Sequence, residues 1–322
     1  MLYAIHEHST EVDGVKLTWT EMGRAASKKT PVVLIHGLNN SRFSWSCVAP
    51  FLAQDRRVLM LDLPGHGESD RPDLGYELEW YARIVAHWLE KVGIKSADIV
   101  GHSFGGGVAQ MLLLECPKRV HRLVLIAAGG LGRDVGVLLR LASLPYLVEL
   151  LGQPFMALGA KLVLWGLRDK MKAGELAQLV RFNSLPGSAR AFARTVRDVI
   201  DWRGQRRGFM HRAHEVKHLP PVMLLWGDKD NLIPARHALE FTRIMKGSIL
   251  RMFEGCGHFL HNEKPEEVAD AVRDFFDDPW ARETRLVVEK PGRDDARSFP
   301  MSLLPALRAS VAYSTLRSME SP

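Results

Sequence analysis

Cysteine is scarce in this chain, and no apolar run is long enough to span a membrane. The 322 residues include only three cysteines, Cys47, Cys116 and Cys256, which lie far apart and lack metal-ligand spacing. Such a set suits a reducing compartment and excludes a disulfide framework. Met1–Thr10 also lacks the apolar core of a signal peptide. We therefore expect a cytoplasmic protein without structural disulfides.

Motifs for nucleic-acid binding are also missing, although the chain is basic. The net charge of +6 and the isoelectric point near 9.3 are compatible with anionic surfaces or substrates. Charge alone does not identify a partner, and we expect no nucleic-acid partner because no such motif accompanies it. The length allows one large domain or two small ones.

The most informative stretch runs from Ala97 to Gly107 and reads A-D-I-V-G-H-S-F-G-G-G. A short apolar run is followed by glycine, serine and a segment with apolar residues at helical spacing, which predicts strand, tight turn and helix. Ser103 lies at the apex, inside G-x-S-x-G. The free N–H groups at the start of the helix would stabilise negative charge developing near the serine hydroxyl.

Apolar runs and amphipathic segments alternate along most of the chain. This order predicts an α/β fold with a mostly parallel sheet and helices on both faces. The glycine-rich loop that begins at Asp62 is expected to form a structural turn. The predicted strands are Ala4–Val12 and Val15–Met22 as a hairpin, then Val32–Ile35, Arg57–Leu61, Asp98–Val100, Leu123–Ala127, Val222–Trp226 and Ser248–Phe253. The main predicted helices outside the serine segment are Tyr76–Val92, Ala235–Met245 and Pro265–Phe276.

The alternation stops after Gly129, where proline and glycine interrupt several helical segments. We therefore predict a core over residues 1–129 and 218–280, an inserted helical cap or lid over 130–217, and an extension over 281–322. The extension is charged and then amphipathic; a partly disordered tail and docking onto the body, a partner or a membrane surface are the alternatives.

A serine hydroxyl needs a general base, and the base needs a group that orients it. His258 follows the last predicted strand in a glycine-bounded loop, and Asp230 follows the strand before it. The chain order is Ser103, Asp230, His258, which is the order of the nucleophile-elbow hydrolases. Asp228 is the alternative acid.

These motifs resemble the α/β-hydrolase superfamily, in its serine-nucleophile, esterase- or lipase-like branch with a helical cap. The resemblance covers about residues 10 to 278 and includes H-G after the third strand, D-x-x-G-x-G-x-S, the serine turn, W-G-x-x-D and G-x-x-H. It implies an oxyanion hole formed by the backbone N–H groups of Leu38 and Phe104. The chemistry that the resemblance implies requires no cofactor. An aspartate in place of Ser103 would indicate dehalogenase or epoxide hydrolase chemistry, and the serine argues against both.

Other histidines have simpler interpretations. His36, His66 and His102 are expected to shape turns, and His261 is expected to begin the final helix. The cluster of His211, His214 and His218 fits no standard zinc spacing, so we expect no metal. Cys256 is expected to be a small buried residue, because a catalytic thiol would need its own base.

The predicted cap is apolar from Val137 to Leu158 and basic further on. Most of the apolar residues are expected to pack cap helices together, and some to line a pocket for an apolar acyl group. The later arginines predict either a solvated face or a surface that attracts an anionic substrate or lipid head group. They are Arg190, Arg194, Arg197, Arg203, Arg206, Arg207 and Arg212.

We therefore predict a serine hydrolase that cleaves a hydrophobic carboxylic ester through an acyl-enzyme. Carbon–carbon bond hydrolases, enol-lactonases and perhydrolases use the same three groups and stay open. A small-molecule receptor with slow or no turnover is the alternative from another class, and a membrane-associated acyltransferase is a third. The expected partner is a small hydrophobic ester or acyl substrate; contact with a membrane surface has weaker support, and the sequence does not define the oligomeric state.

Overall fold

An eight-stranded sheet forms the centre of the computed structural model, which describes residues 5–143, 173–216, 218–279, 281 and 284–286. In the spatial order of the strands, the first and second pair antiparallel as a hairpin, and the second and third also pair antiparallel. Every later pair of neighbouring strands is parallel. The strands lie in the spatial order β1 (Ile5–Val12), β2 (Val15–Gly23), β4 (Arg57–Leu61), β3 (Val32–Ile35), β5 (Ala97–His102), β6 (Val120–Ile126), β9 (Val222–Gly227) and β11 (Ile249–Phe253).

Helices connect these strands. None of the helices in the described part of the chain is long and apolar enough to cross a membrane. The α-helices of the described residues are α1 (Ala49–Leu52), α2 (Leu78–Lys91), α3 (Phe104–Glu115), α4 (Val137–Ala142), α5 (Ala173–Asn183), α6 (Ser188–Val199), α7 (Arg236–Ile244), α8 (Leu260–Glu263) and α9 (Pro265–Asp277). Two-residue strands form two further pairs, β7 (Ile200–Asp201) with β8 (Gly204–Gln205) and β10 (Met245–Lys246) with β12 (Arg285–Leu286).

The turn of the first hairpin follows from its two central residues. Asp13 has a φ of 50° and Gly14 a φ of 75°. A type I′ turn requires positive φ at both positions, and aspartate followed by glycine tolerates this best. The predicted hairpin is therefore present, with β1 and β2 in register from Ile5 opposite Met22.

Continuous apolar runs form the central strands because helices cover both faces of the sheet. All four residues of β3 and all six of β5 and of β9 are buried. Helix α2 buries one apolar face, as predicted, but begins at Leu78 rather than Tyr76. Tyr76 has a φ of 65°, which no residue of a right-handed helix adopts.

The predicted cap, residues 130–217, contains α4, α5 and α6 in its described part. It also contains the short hairpin of β7 and β8, which the sequence did not predict. Residues 144–172, which include most of the predicted apolar cap segment, lie outside the described residues. Residues 287–322 of the predicted extension also lie outside them, and Leu286 pairs with Met245. The domain boundaries stay predictions.

Ion pairs attach several arginines of the later cap to neighbouring carboxylates. Arg194 lies 2.7 Å from Asp73, which is in the loop before α2. Arg207 lies 2.7 Å from Asp198, and its other terminal nitrogen contacts Glu79 on α2. These arginines therefore contribute to cap–core contact, which the prediction of a solvated or anion-binding face did not include.

Candidate active site

Ser103 occupies a sharp turn between β5 and α3, as the sequence predicts. Its φ of 53° and ψ of −118° place a non-glycine residue in a strained region of backbone space. A Cβ on Gly101 would lie 2.5 Å from the carbonyl oxygen of Gly105, and a Cβ on Gly105 would lie 2.3 Å from the carbonyl oxygen of Ile35. Glycine at both positions is therefore what lets strand and helix approach closely enough to form the turn.

Asp230 and His258 follow adjacent parallel strands, β9 and β11, and meet at the carboxyl edge of the sheet. Asp230 Oδ2 lies 2.8 Å from His258 Nδ1, and the Asp230 side chain is fully buried. The other carboxylate oxygen, Oδ1, accepts hydrogen bonds from the N–H groups of Leu232 at 2.8 Å and Ile233 at 2.9 Å. These bonds fix the carboxylate, which then holds the imidazole with its Nδ1 as donor.

Asp228, the alternative acid, is placed differently. Its side chain is one-third exposed and lies 3.7 Å from the ammonium group of Lys229. The geometry therefore favours Asp230 over Asp228 as the partner of His258.

His258 also contacts the residue that precedes Ser103. His102 Nε2 lies 3.0 Å from the His258 carbonyl oxygen, and the two rings are 4.9 Å apart between centroids. In the described part of the chain, no hydrogen bond joins the Ser103 hydroxyl to His258 Nε2. Such bonds are often long before substrate binds and tighten in the reacting complex.

The loop after β3 approaches the serine turn closely. A Cβ on Gly37 would lie 3.2 Å from the Cβ of Ser103 and 3.0 Å from Nδ1 of His102. Among the described residues, none accepts a hydrogen bond from the backbone N–H of Leu38 or of Phe104. The residues that directly follow Gly37 and Ser103 thus keep backbone N–H groups without an acceptor among the described residues, and an oxyanion hole requires two such donors.

Four further histidines surround this site and are held neutral. Burial lowers the pKa of His36 to about 4 and the pKa values of His66 and His261 to about 3. Burial also lowers the pKa of His102 well below its ordinary value. His36 accepts a hydrogen bond from the Leu63 N–H at 3.1 Å and donates to the Gly37 carbonyl at 2.8 Å. These contacts fit the predicted turn-shaping role of His36.

Arg42 was missed by the sequence reasoning, although it organises the loops beside the site. Its buried guanidinium contacts the carboxylates of Asp62, Glu7 and Glu68. The Asp62 carboxylate also accepts hydrogen bonds from the backbone N–H groups of Arg42 and Glu68. A Cβ on Gly67 would lie 2.1 Å from the Asp62 carboxyl carbon, so this loop is built around Asp62. These contacts give the loop that begins at Asp62 a structural role, as expected.

Asn183, at the end of α5, was also missed. Its side-chain amide donates to the Asn39 carbonyl at 3.0 Å and to the Leu179 carbonyl at 2.8 Å. Asn39 directly follows Leu38 and has a φ of 60°. A cap residue therefore holds the strained loop that carries one of the two free N–H groups. No sequence signal links two asparagines so far apart.

The other groups considered from the sequence are the Cys256 thiol and a metal site. Burial raises the pKa of the Cys256 thiol, which keeps it protonated. No group of three or more histidine, cysteine, aspartate or glutamate side chains is placed to hold a metal ion within the residues that the structure describes.

A strained serine after a central parallel strand, at the same sheet edge as a histidine held by a carboxylate, is the arrangement found in hydrolases built on an open α/β sheet. A model of the alpha/beta hydrolase family matches residues 32–271, and the chain belongs to that family.

Relatives and solved structures agree with this assignment. The chain is 36% identical over 264 residues to an uncharacterized protein of Mycobacterium tuberculosis, a match that covers 79% of this chain and 77% of that protein. It is 30% identical over 254 residues to 2-hydroxymuconate semialdehyde hydrolase of a Pseudomonas species, covering 76% and 86% of the two chains. The crystal structure of Cfl2 from Burkholderia cenocepacia superimposes with a TM-score of 0.69 at 26% identity, covering 84% of this chain and 96% of that one.

Proposed function

We propose that this hydrolase cleaves a carboxylic ester through an acyl-enzyme formed on Ser103. The observation that carries the proposal is the 2.8 Å contact between Asp230 Oδ2 and His258 Nδ1. This contact leaves Nε2 of His258 as the nitrogen that can take the serine proton. The position of Ser103 at the apex of the strained turn supports its role as nucleophile.

In the proposed mechanism, the Ser103 hydroxyl oxygen attacks the ester carbonyl carbon while His258 Nε2 takes the hydroxyl proton. Asp230 stabilises the imidazolium that forms, and the N–H groups of Leu38 and Phe104 bind the oxyanion. The carbon–oxygen bond to the alcohol breaks, and His258 returns the proton to the leaving oxygen. Water then attacks the acyl group with the same assistance and releases the acid.

The preference for a hydrophobic acyl group rests on the composition of the predicted cap. After α4, whose apolar residues are largely exposed, apolar residues still predominate in the sequence from Leu144 to Leu158. Each substrate methylene buried against a cap of that composition would contribute about 0.8 kcal/mol to binding. We therefore place the acyl chain between the sheet edge and the cap. No cofactor takes part in the proposed steps.

Carbon–carbon bond hydrolysis is the second candidate. It is favoured by the 30% identity to 2-hydroxymuconate semialdehyde hydrolase over most of both chains. The same serine, histidine and aspartate could act on a ketone carbonyl, so the site geometry does not separate the two reactions.

Pre-steady-state kinetics on p-nitrophenyl butyrate test the proposal. We expect a burst of p-nitrophenol followed by repeated turnover, because acylation releases the alcohol before water releases the acid. Ser103→Ala abolishes both phases, whereas the matched control Ser184→Ala, at an exposed cap serine, keeps them.

Two results contradict the proposal. Turnover of a diketone ring-cleavage product far above that of any ester in a chain-length panel supports carbon–carbon bond hydrolysis instead. Ligand-induced thermal stabilisation with negligible turnover of every ester supports a receptor.

A further inference from the structure

The short helix α4 presents an apolar face to solvent. Its residues Leu139 and Ala142 pack against the core, while Val137, Leu138 and Leu141 are 69%, 73% and 49% exposed. Three exposed aliphatic side chains within one and a half helical turns form a patch, unlike the single exposed apolar residues that are normal on soluble proteins.

Two elements attached to the segment before α4 carry further exposed apolar side chains. Trp202, at the tip of the hairpin of β7 and β8, is 66% exposed, and Leu239 on α7 is 55% exposed. The hairpin is attached to the segment before α4, because the Gln205 N–H donates to the Arg133 carbonyl at 2.8 Å. Helix α7 is attached through Asp134, which lies 2.7 Å from Arg236. We call Val137, Leu138, Leu141, Trp202 and Leu239 the docking patch.

Arginines border the docking patch. The three segments that form it, residues 133–143, 200–206 and 231–243, contain six arginines and three carboxylates, a net charge of +3. The arginines are Arg133, Arg140, Arg203, Arg206, Arg236 and Arg243. The guanidinium of Arg203 lies 4.7 Å from the ring centre of Trp202, so a cation and an exposed indole project together.

We propose that the docking patch binds an anionic lipid surface. Tryptophan is favoured at the level of lipid head groups, exposed aliphatic side chains insert just below it, and each nearby arginine is attracted by anionic lipid. The patch offers all three together. A second copy of this chain suits it less well, because a two-fold contact would bring two positively charged surfaces together.

The position of the docking patch relates it to the candidate active site. The segment that leads into α4 begins at Gly129, whose N–H donates to the Ser103 carbonyl at 3.0 Å. Docking would therefore bring the cap side of the molecule, and with it the carboxyl edge of the sheet, towards the lipid. The inference does not depend on the proposed ester chemistry.

Vesicle flotation of the full chain tests this inference. The Ser103→Ala form is used, so that turnover of lipid cannot affect the result, with vesicles of phosphatidylcholine alone or mixed equally with phosphatidylglycerol. We expect flotation with the mixed vesicles only, decreasing as salt rises. Leu138→Asp and Arg203→Glu should each lower the partition coefficient at least tenfold.

Ile5→Asp is the matched control, because Ile5 is 61% exposed on the edge strand at the other end of the sheet. It should float like the parent, and all variants should keep the parent melting temperature because the changed side chains are exposed. Absence of flotation with mixed vesicles, equal binding to both vesicle types, or equal binding by Leu138→Asp and Ile5→Asp would overturn the inference. A dimer that Leu138→Asp dissociates, without vesicle binding, would assign the patch to a second copy of the chain instead.

Discussion

Replacing Asn183 with alanine is expected to slow the chemical step without weakening substrate binding. The Asn183 amide donates to the carbonyl of Asn39, which follows the proposed oxyanion donor Leu38. Asn39 holds a left-handed conformation with a φ of 60°. Without the amide, we expect the loop to relax and the Leu38 N–H to leave the position where charge develops in the transition state.

The size of the effect follows from the contact that is lost. Asn183 is only 6% exposed, and the substitution removes the hydrogen bond that it donates to the partly buried Asn39 carbonyl. An unsatisfied acceptor costs about 1–3 kcal/mol when it is fully buried. Losing all of that energy from the transition state would lower kcat by about 5- to 150-fold, which is the upper bound for this partly buried carbonyl. Complete loss of one oxyanion donor would lower kcat on the order of 10²–10³-fold, so the upper bound of the predicted decrease overlaps the lower end of that range.

The assay measures kcat and KM on a p-nitrophenyl ester together with the affinity for a trifluoromethyl ketone, which mimics the oxyanion. In Asn183→Ala, ketone affinity should decrease in parallel with kcat, while KM changes little. Asn183→Asp, which replaces the donor with an acceptor, should behave similarly. Arg190→Gln is the control, because Arg190 also joins cap and core, through the Arg71 carbonyl at 3.0 Å, without touching the Asn39 loop. A raised KM with unchanged kcat and ketone affinity would refute the reasoning.

Three further predictions concern the acid, the serine turn and a buried carboxyl group. Asp230→Asn should lower kcat by about 10³–10⁴-fold, because the amide favours the wrong imidazole tautomer; steady-state ester kinetics measure this, and a loss below tenfold would contradict it. Gly101→Ala should destabilise the fold, since its Cβ would lie 2.5 Å from the Gly105 carbonyl oxygen. Gly107→Ala, whose Cβ meets nothing closer than 3.7 Å inside α3, should instead stabilise it by about 0.5–1 kcal/mol; urea unfolding distinguishes the two. Burial raises the pKa of Asp98 to about 6, so the folded chain holds the proton more tightly than the unfolded chain and its stability falls as pH rises from about 4 to 6. Asp98→Asn should remove this slope and exceed the parent stability at pH 7 by up to about 3 kcal/mol; an unchanged slope would contradict the assignment.

The parts of the fold that the sequence predicts are those that depend on local patterns. The runs Val32–Ile35 and Arg57–Leu61 are strands with the predicted bounds, because buried parallel strands require continuous apolar residues. The sharp turn at Ser103 could also be predicted from the sequence, because the close backbone contacts at Gly101 and Gly105 leave no room for a Cβ atom and so require glycine. The order of Asp230 and His258 after successive strands predicted the edge at which they meet.

Contacts between distant segments could not be predicted in the same way. Nothing near Arg42 in the sequence indicates that its guanidinium joins carboxylates from a hairpin and a loop. The contact between Asn183 and Asn39 likewise depends on how α5 packs against the core. The short hairpin around Trp202 interrupts a region predicted as helical. It could not be predicted because strands of two residues show no hydrophobic periodicity.

The most direct test of the proposed site is the phosphonylation rate of Ser103, measured with a fluorophosphonate and located by peptide mass spectrometry. We expect one adduct, on Ser103, that forms about 10²–10⁴ times more slowly in His258→Ala because the general base is gone. Labelling of another residue, or an equal rate in the parent and His258→Ala, would contradict activation of Ser103 by His258.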